Sequence, residues 1–97
     1  MVRLVKLRGA SMTPTLQPGD YMIITKARVL RPGFVVLVDH PKYGSIVKRV
    51  KSVEGGQLSL KGDGAESTST EAMGLIGLSA VKGRVRWAIT PKGLKRV

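Results

Sequence analysis

The sequence of 97 residues contains no cysteine and only one histidine, His40. Without cysteine there is no disulfide and no thiolate metal ligand, and a single histidine does not build a histidine-based zinc site. Because Asp39 and Pro41 flank it in a turn-like segment, His40 is expected in a surface loop. The sequence therefore predicts no metal and no other cofactor.

Acidic residues are also scarce, since 6 Asp and Glu stand against 17 Lys and Arg, for a net charge of +11. This balance favours an anionic partner such as nucleic acid, an anionic lipid surface or an acidic protein. It is equally typical of a solvated surface that keeps a small protein in solution. Six basic residues cluster near the end of the chain: Lys82, Arg84, Arg86, Lys92, Lys95 and Arg96.

Long apolar runs are missing as well, and none approaches the roughly 20 residues of a membrane-spanning helix. Residues 2–6 alternate between basic and apolar side chains, so no signal peptide or anchor is predicted. We expect a soluble cytoplasmic protein, with peripheral contact to an anionic membrane surface as one use of its charge.

Glycine and proline are frequent, with 12 and 5 copies, and they divide the chain into short strand-like segments. About seven or eight strands are expected, in an all-β fold that forms a small barrel or a coiled antiparallel sheet. A chain of this length makes one domain, over residues 1–97. Residues 94–97 are expected to be a frayed basic tail.

The most distinctive segment is residues 9–20, GASMTPTLQPGD. Its prolines and glycines break regular structure, and each proline also restricts the residue before it. Ser11 is therefore expected on a stiff loop that presents its hydroxyl at a defined angle. By itself, a serine in such a loop is more often an ordinary turn or cap residue.

A lysine in the strand expected over residues 45–53 is a candidate partner for this serine. Side chains alternate between strand faces, so Lys48 shares a face with Ile46 and Val50. If those apolar residues point inward, so does Lys48, and burial lowers the pKa of an amine. A neutral amine can take the proton of a serine hydroxyl, which is a poor nucleophile without a base.

Two other interpretations of the base stay open. Lys48 is by default a strand lysine whose amine reaches solvent along its flexible stem. Lys51 and Lys61 are rival bases, and Lys51 is disfavoured because alternation places it beside Arg49 on the more charged face.

Residues 9–20 resemble the nucleophile box of type I signal peptidases and their soluble relatives, Gly-x-Ser-Met-x-Pro-Thr-Leu-x-x-Gly-Asp, with every fixed position filled. A looser version occurs in LexA-type self-cleaving repressors, and residues 46–50, IVKRV, resemble the family's Lys-Arg-Val segment. The resemblance implies a serine endopeptidase with a Ser11–Lys48 dyad. Its substrate would be a protein that loses a leader or propeptide by cleavage after small residues.

The resemblance also implies a substrate groove and an oxyanion hole around the dyad. The Ser11 backbone N–H would stabilise the oxyanion, and Gly9 adds no side-chain donor but lets the substrate approach closely. Met12 is expected to form a wall of the groove, with core packing as the alternative. The substrate would lie extended along a strand edge near residues 21–25 or 7–9.

A third segment, residues 62–74, resembles the family's Gly-Asp-Asn box only in part. Ser67 corresponds to the serine that orients the lysine, with Thr68 and Ser69 as alternatives. Ser69 and Glu71 stand where the family carries the Asp and Arg of a salt bridge, and Gly64 replaces the asparagine. The pair that braces this loop is therefore missing, which leaves the level of activity open.

Two other functions compete with a leader-cleaving peptidase. A LexA-like self-cleaving protein is disfavoured because no DNA-binding domain or cleavage linker precedes Ser11. A basic β-barrel that binds nucleic acid, with a vestigial serine box, agrees with the charge. It is disfavoured because only four residues are aromatic and could stack on bases: Tyr21, Phe34, Tyr43 and Trp87.

Overall fold

The computed structural model describes residues 2–65 and 69–97. Eight strands form a single sheet, and every strand pair in it is antiparallel. A single helical turn, α1, and a 3₁₀ turn lie on either side of the sixth strand. The strands are β1 (Val2–Lys6), β2 (Tyr21–Thr25), β3 (Val35–His40), β4 (Gly44–Glu54), β5 (Gln57–Lys61), β6 (Ile76–Gly77), β7 (Val81–Thr90) and β8 (Gly93–Arg96), with α1 at Thr70–Met73 and the 3₁₀ turn at Leu78–Ala80.

The strand order is β1-β2-β7-β3-β4-β5-β6, and β8 also pairs with β7. β2 pairs with β7 from Arg84 to Ile89, and β3 and β8 share the opposite edge of β7, one at each end. The predicted all-β fold and antiparallel sheet are confirmed. The sheet formed by the described strands stays open and does not close into a barrel.

The sheet carries an apolar core on each face. Val35 and Leu37 of β3 belong to one core, and Val36 and Val38 belong to the other, so the continuous apolar run of β3 is buried on both sides. The first core also takes in Met12, and thereby ties the loop between β1 and β2 to the sheet.

The end of the chain is a strand, and the prediction of a frayed tail was wrong. Gly93, with a φ of +113°, follows a tight turn after β7 and lets β8 return along it. The Val97 N–H donates to the Arg86 carbonyl at 3.0 Å. Backbone pairing stabilises β8 although its side chains are exposed, so the sequence carries no burial pattern for it.

His40 is buried, with 5% of its surface exposed, and the expected surface position was wrong. Its Nδ1 accepts hydrogen bonds from the N–H groups of Lys42 and Tyr43, at 3.0 and 3.2 Å. Its Nε2 therefore carries the proton and donates to the Met73 carbonyl at 2.9 Å. Both ring nitrogens are engaged in holding the β3–β4 turn against α1, so the imidazole has a structural role.

No helix in residues 2–65 and 69–97 is long and apolar enough to cross a bilayer.

Candidate active site

The loop that carries Ser11 is closed at its base by backbone hydrogen bonds. The Leu7 N–H donates to the Asp20 carbonyl at 2.8 Å, and the Gly19 N–H donates to the Leu7 carbonyl at 2.9 Å. The buried Asp20 carboxylate accepts from the Gln17 N–H at 2.9 Å and caps the last turn of the loop. These hydrogen bonds hold the serine loop, which is neither a helix nor a strand, in a defined conformation.

Two apolar side chains fix this loop to the first core. Met12 and Leu16 are both completely buried, whereas Ser11, beside Met12, is partly exposed. Met12 is therefore a core residue, and it does not line the cavity next to Ser11 as the groove interpretation expected. The physical reason is that neighbouring loop residues point in different directions, so anchoring Met12 inward leaves Ser11 at the surface.

Lys48 lies in β4, directly opposite Val36 of β3. Only 2% of its surface is exposed, and its Nζ has no hydrogen-bond partner among the described residues. Burial lowers the pKa of this amine from its ordinary value. The rival bases Lys51 and Lys61 are exposed, so burial distinguishes Lys48 from both.

A cavity of about 550 Å³ lies beside Ser11, between β1 and the start of β4. Residues 4–8 form one side of this cavity and residues 45–47 the other, and Met22 and Leu37 also line it. Lys6 and Arg8 make one side basic, and no acidic side chain in the described part of the chain contributes to the lining. A cavity of this size and shape can hold a few residues of an extended peptide.

Two strand edges without a partner in the described sheet border this cavity. β1 pairs only with β2, and the start of β4 pairs only with β3, because β5 joins β4 from Arg49 onward. An extended chain could add hydrogen bonds along such edges. The alternative edge at residues 21–25 is not free, because β2 is paired on both sides, so that expectation was wrong.

Gly64 packs directly against the backbone of the serine loop. Its N–H donates to the Ser11 carbonyl at 2.8 Å. A Cβ at this position would lie 2.5 Å from the Ala10 carbonyl oxygen, which is closer than atoms can approach without movement. Glycine is therefore required for this contact, although the resemblance alone made Gly64 look like a defect in the third box.

An ion pair braces the loop that carries Gly64. Asp63 is bound by Arg49 through two hydrogen bonds, Nε to Oδ1 at 2.9 Å and Nη2 to Oδ2 at 2.7 Å. The Thr15 hydroxyl also donates to Oδ2, which links the brace to the serine loop. The hydrogen bonds with Arg49 lower the pKa of Asp63, and the same bonds raise the pKa of Arg49.

This ion pair was not predicted from the sequence, where only the absence of the family's salt bridge at Ser69 and Glu71 was noted. Both partners lie in segments that the resemblance had already marked, because Arg49 directly follows Lys48 and Asp63 belongs to the third box. In the structure the Ser69 hydroxyl accepts from the Ala72 N–H at 3.1 Å and caps α1. Ser67, predicted to orient the lysine, lies outside the described residues.

The structure shows no hydrogen bond between the two predicted catalytic side chains, and Lys48 is not among the residues that line the cavity beside Ser11. Ser11 and the strand of Lys48 are linked through Gly64, Asp63 and Arg49, so they belong to one braced region. Gly9 is exposed with a φ of +78° and leaves open space beside its backbone.

An open antiparallel sheet, a braced serine loop and a buried lysine agree with the peptidase group to which the sequence boxes pointed. Residues 1–74 match a family model described as Peptidase S24-like, and this stretch includes Ser11, Lys48 and Gly64. The chain therefore belongs to the Peptidase S24-like family, and its relationship is to peptidases. The comparison with curated proteins gave no match.

Proposed function

We propose that this chain is a serine endopeptidase in which Ser11 is the nucleophile and Lys48 is its general base. Its substrate is a protein from which it removes a leader or propeptide by cutting after small residues. The proposal adds a catalytic pair and a substrate class to the peptidase relationship, and it assigns the activity to the cytoplasm.

The observation that carries the proposal is the environment of the Lys48 amine. The amine is buried, has no hydrogen-bond partner in the described part of the chain, and has a pKa lowered by burial. An exposed lysine is protonated at neutral pH and accepts no proton. A buried lysine that loses its proton more easily is suited to act as a base for a serine hydroxyl.

The reaction follows from these two groups. Lys48 takes the hydroxyl proton while the Ser11 oxygen bonds to the scissile carbonyl carbon, and the Ser11 N–H stabilises the resulting oxyanion. That N–H makes no backbone hydrogen bond to a described residue. The C–N bond then breaks, and the Lys48 ammonium returns the proton to the leaving amine. A water molecule hydrolyses the acyl-enzyme, with Lys48 again taking and returning a proton.

Bound substrate would complete the geometry of the dyad. The Ser11 hydroxyl and the Lys48 amine are not hydrogen-bonded, and catalytic hydrogen bonds often tighten only when substrate is bound. An extended segment lying between β1 and the start of β4 would cover Ser11 and exclude water from its hydroxyl. The apolar side chains Met22, Leu37 and Val47 in the cavity lining favour small apolar residues next to the cut.

Cleavage of leader-like peptides with small residues before the scissile bond tests the proposal. We expect Ser11→Ala and Lys48→Met each to lose at least 100-fold in kcat/KM, the usual scale for removing a nucleophile or base. Lys51→Met, on the same strand but exposed, is the matched control and should retain activity. Wild-type activity should rise with pH, because the neutral fraction of Lys48 rises, with a midpoint below the ordinary lysine value of 10.5.

Activity that survives in Lys48→Met would show that another group is the base. An equal loss of activity in Lys51→Met would show that cleavage depends on the charge of β4 and not on the buried amine. Melting curves of the four proteins identify any variant that loses activity by unfolding.

A further inference from the structure

One face of the strands β1, β2, β7 and β8 carries several apolar side chains, most of them exposed, together with the basic residues Lys6 and Arg96. Strand register aligns Leu4 with Ile23 and Trp87, and it aligns Tyr21 with Ile89 and Leu94. Leu4 and Leu94 are 60% and 64% exposed. We call this surface the outer face, and it presents Val2, Leu4, Tyr21, Trp87, Ile89 and Leu94.

The outer face is the reverse side of the first core. Met22, Ile24 and Ala88 alternate with the outer-face residues along β2 and β7, and all three are buried. The sheet is therefore apolar on both sides here, whereas a sheet with one solvated side normally alternates apolar and polar residues. An exposed apolar face of this kind indicates an interaction surface.

An arginine-lined cavity of about 210 Å³ adjoins the outer face at Trp87. Its lining consists of Arg84, Arg86 and Arg96 together with Trp87 and Val97, and no acidic side chain among the described residues contributes to it. Arg86 is the extra residue of an irregularity in β7, where Ile23 pairs with Trp87 and Ile24 with Val85. Such a bulge redirects side chains, and here it adds a third guanidinium to the same cavity.

No acidic side chain among the described residues pairs with the arginines of this cavity. The Arg84 Nε is buried and has no hydrogen-bond acceptor among the described residues, and its guanidinium lies 3.5 Å from the ring centroid of Phe34. Burial, and then the charge of Arg86, lower the pKa of Arg84. A bound anion would supply the missing acceptor and offset the repulsion.

We propose that the arginine cavity binds the phosphate headgroup of an anionic lipid, and that the outer face contacts the surface of the bilayer. Both rings on this face, the exposed Tyr21 and the half-buried Trp87, have a cation nearby, with Arg96 5.1 Å from the Trp87 centroid and Lys6 6.0 Å from the Tyr21 centroid. Aromatic and basic side chains beside aliphatic ones suit the headgroup region of a membrane.

Two other occupants fit this surface less well. A second copy of the chain would bring another molecule with a charge of +11 against the same arginines. Single-stranded nucleic acid would find cations here, but most outer-face side chains are aliphatic and do not stack on bases.

The fluorescence of Trp87, the only tryptophan, reports directly on the proposed contact. The full chain is mixed with phosphatidylcholine vesicles, with and without phosphatidylglycerol, and binding is also measured by co-sedimentation. We expect the Trp87 emission to shift to shorter wavelength with the anionic vesicles only. Arg86→Gln and Arg96→Gln should each weaken binding roughly fivefold, the effect of one basic residue at an anionic surface.

Matched variants test whether binding depends on this site or only on the total charge and hydrophobicity of the protein. Arg31→Gln removes an equal charge from an exposed turn and should weaken binding less than twofold. Leu94→Ser should weaken binding several-fold, whereas Val29→Ser, at an equally exposed position away from the outer face, should not.

Three results would overturn the proposal. These are equal binding to neutral and anionic vesicles, equal losses in Arg31→Gln and Arg86→Gln, and a Trp87 shift that inorganic phosphate or a single-stranded oligonucleotide produces without any vesicle response. Because the readout needs no cleavage, it is independent of the peptidase proposal and can be repeated in Ser11→Ala.

Discussion

At Lys48 the cost of removing a charge from water is not offset by a described partner. The ammonium form loses hydration in the interior, and no described carboxylate compensates it, so the neutral amine is favoured. At Arg49, the next residue, the charged form is favoured instead, since Asp63 forms two hydrogen bonds with its guanidinium. Adjacent residues of one strand thus differ in proton affinity because alternation sends them to different surroundings.

Gly64→Ala tests the close packing behind Ser11. The new Cβ would lie 2.5 Å from the Ala10 carbonyl oxygen, so the serine loop has to move. We expect a loss of about 1–3 kcal/mol in the free energy of unfolding, as for other overpacked sites, together with reduced peptide cleavage. Gly77→Ala is the control, because its nearest neighbour is at 3.7 Å and its φ is negative. Equal effects in both variants, measured by urea unfolding, would contradict this account.

At the scale of elements, the serine loop is held from several directions. Its base is closed between β1 and β2, Met12 anchors it to the core, and the loop after β5 supports it through Asp63. Lys95 of β8 also donates to the Thr15 carbonyl. These supports come from segments far apart in the chain, so the position of Ser11 depends on the whole sheet.

Asp63→Asn should weaken this support in a pH-dependent way. The lowered pKa of Asp63 means that the ion pair stabilises the fold above the ordinary value of 3.8, and that this contribution is lost as pH falls through the lower folded-state value. We expect Asp63→Asn to cost about 1–3 kcal/mol of unfolding free energy at neutral pH, and less in strong acid.

Thermal or urea unfolding across the acidic range measures the Asp63 effect. Asp39→Asn, which changes an exposed carboxylate outside any described salt bridge, serves as its control. A cost for Asp63→Asn that stayed constant down to the lowest pH would show that ionisation of the carboxylate is irrelevant.

At the scale of the whole molecule, an incomplete sheet leaves a gap where the serine lies. β1 and the start of β4 each lack a second partner in the described structure, and the cavity beside Ser11 lies between them. The arginine cavity lies on another part of the same sheet, whereas the outer face shares Leu4 with the lining of the cavity beside Ser11. One small fold would therefore offer a surface for an extended chain and an adjoining surface for the anionic lipid that we propose.

Hydrogen exchange can locate the substrate on this sheet. Ser11→Ala should bind a leader-like peptide without cutting it, and the amides of β1 and residues 44–48 should then exchange more slowly, because a bound strand would hydrogen-bond to their free edges. The amides of β2, already paired on both sides, are the internal reference. Slower exchange confined to other strands would place the peptide elsewhere.

Much of the fold class and part of the site could be predicted from the sequence because their signals are local. Alternation around Lys48 indicated its inward direction, and the glycines and prolines of residues 9–20 indicated a stiff loop. β8 could not be found this way, because its side chains are exposed and only pairing with β7 defines it. His40 likewise looked like a loop residue, since its partner Met73 is 33 positions away.

The sequence by itself determined which chemical groups are available: one serine on a rigid loop, one lysine among apolar neighbours, an excess of cations and no cysteine. Tertiary structure alone decided how these groups are used. It buried Met12, joined Arg49 to Asp63, left the sheet open beside Ser11 and gathered three arginines around Trp87. The physical reason is that burial, ion pairing and strand edges depend on residues distant in the chain, which local patterns do not encode.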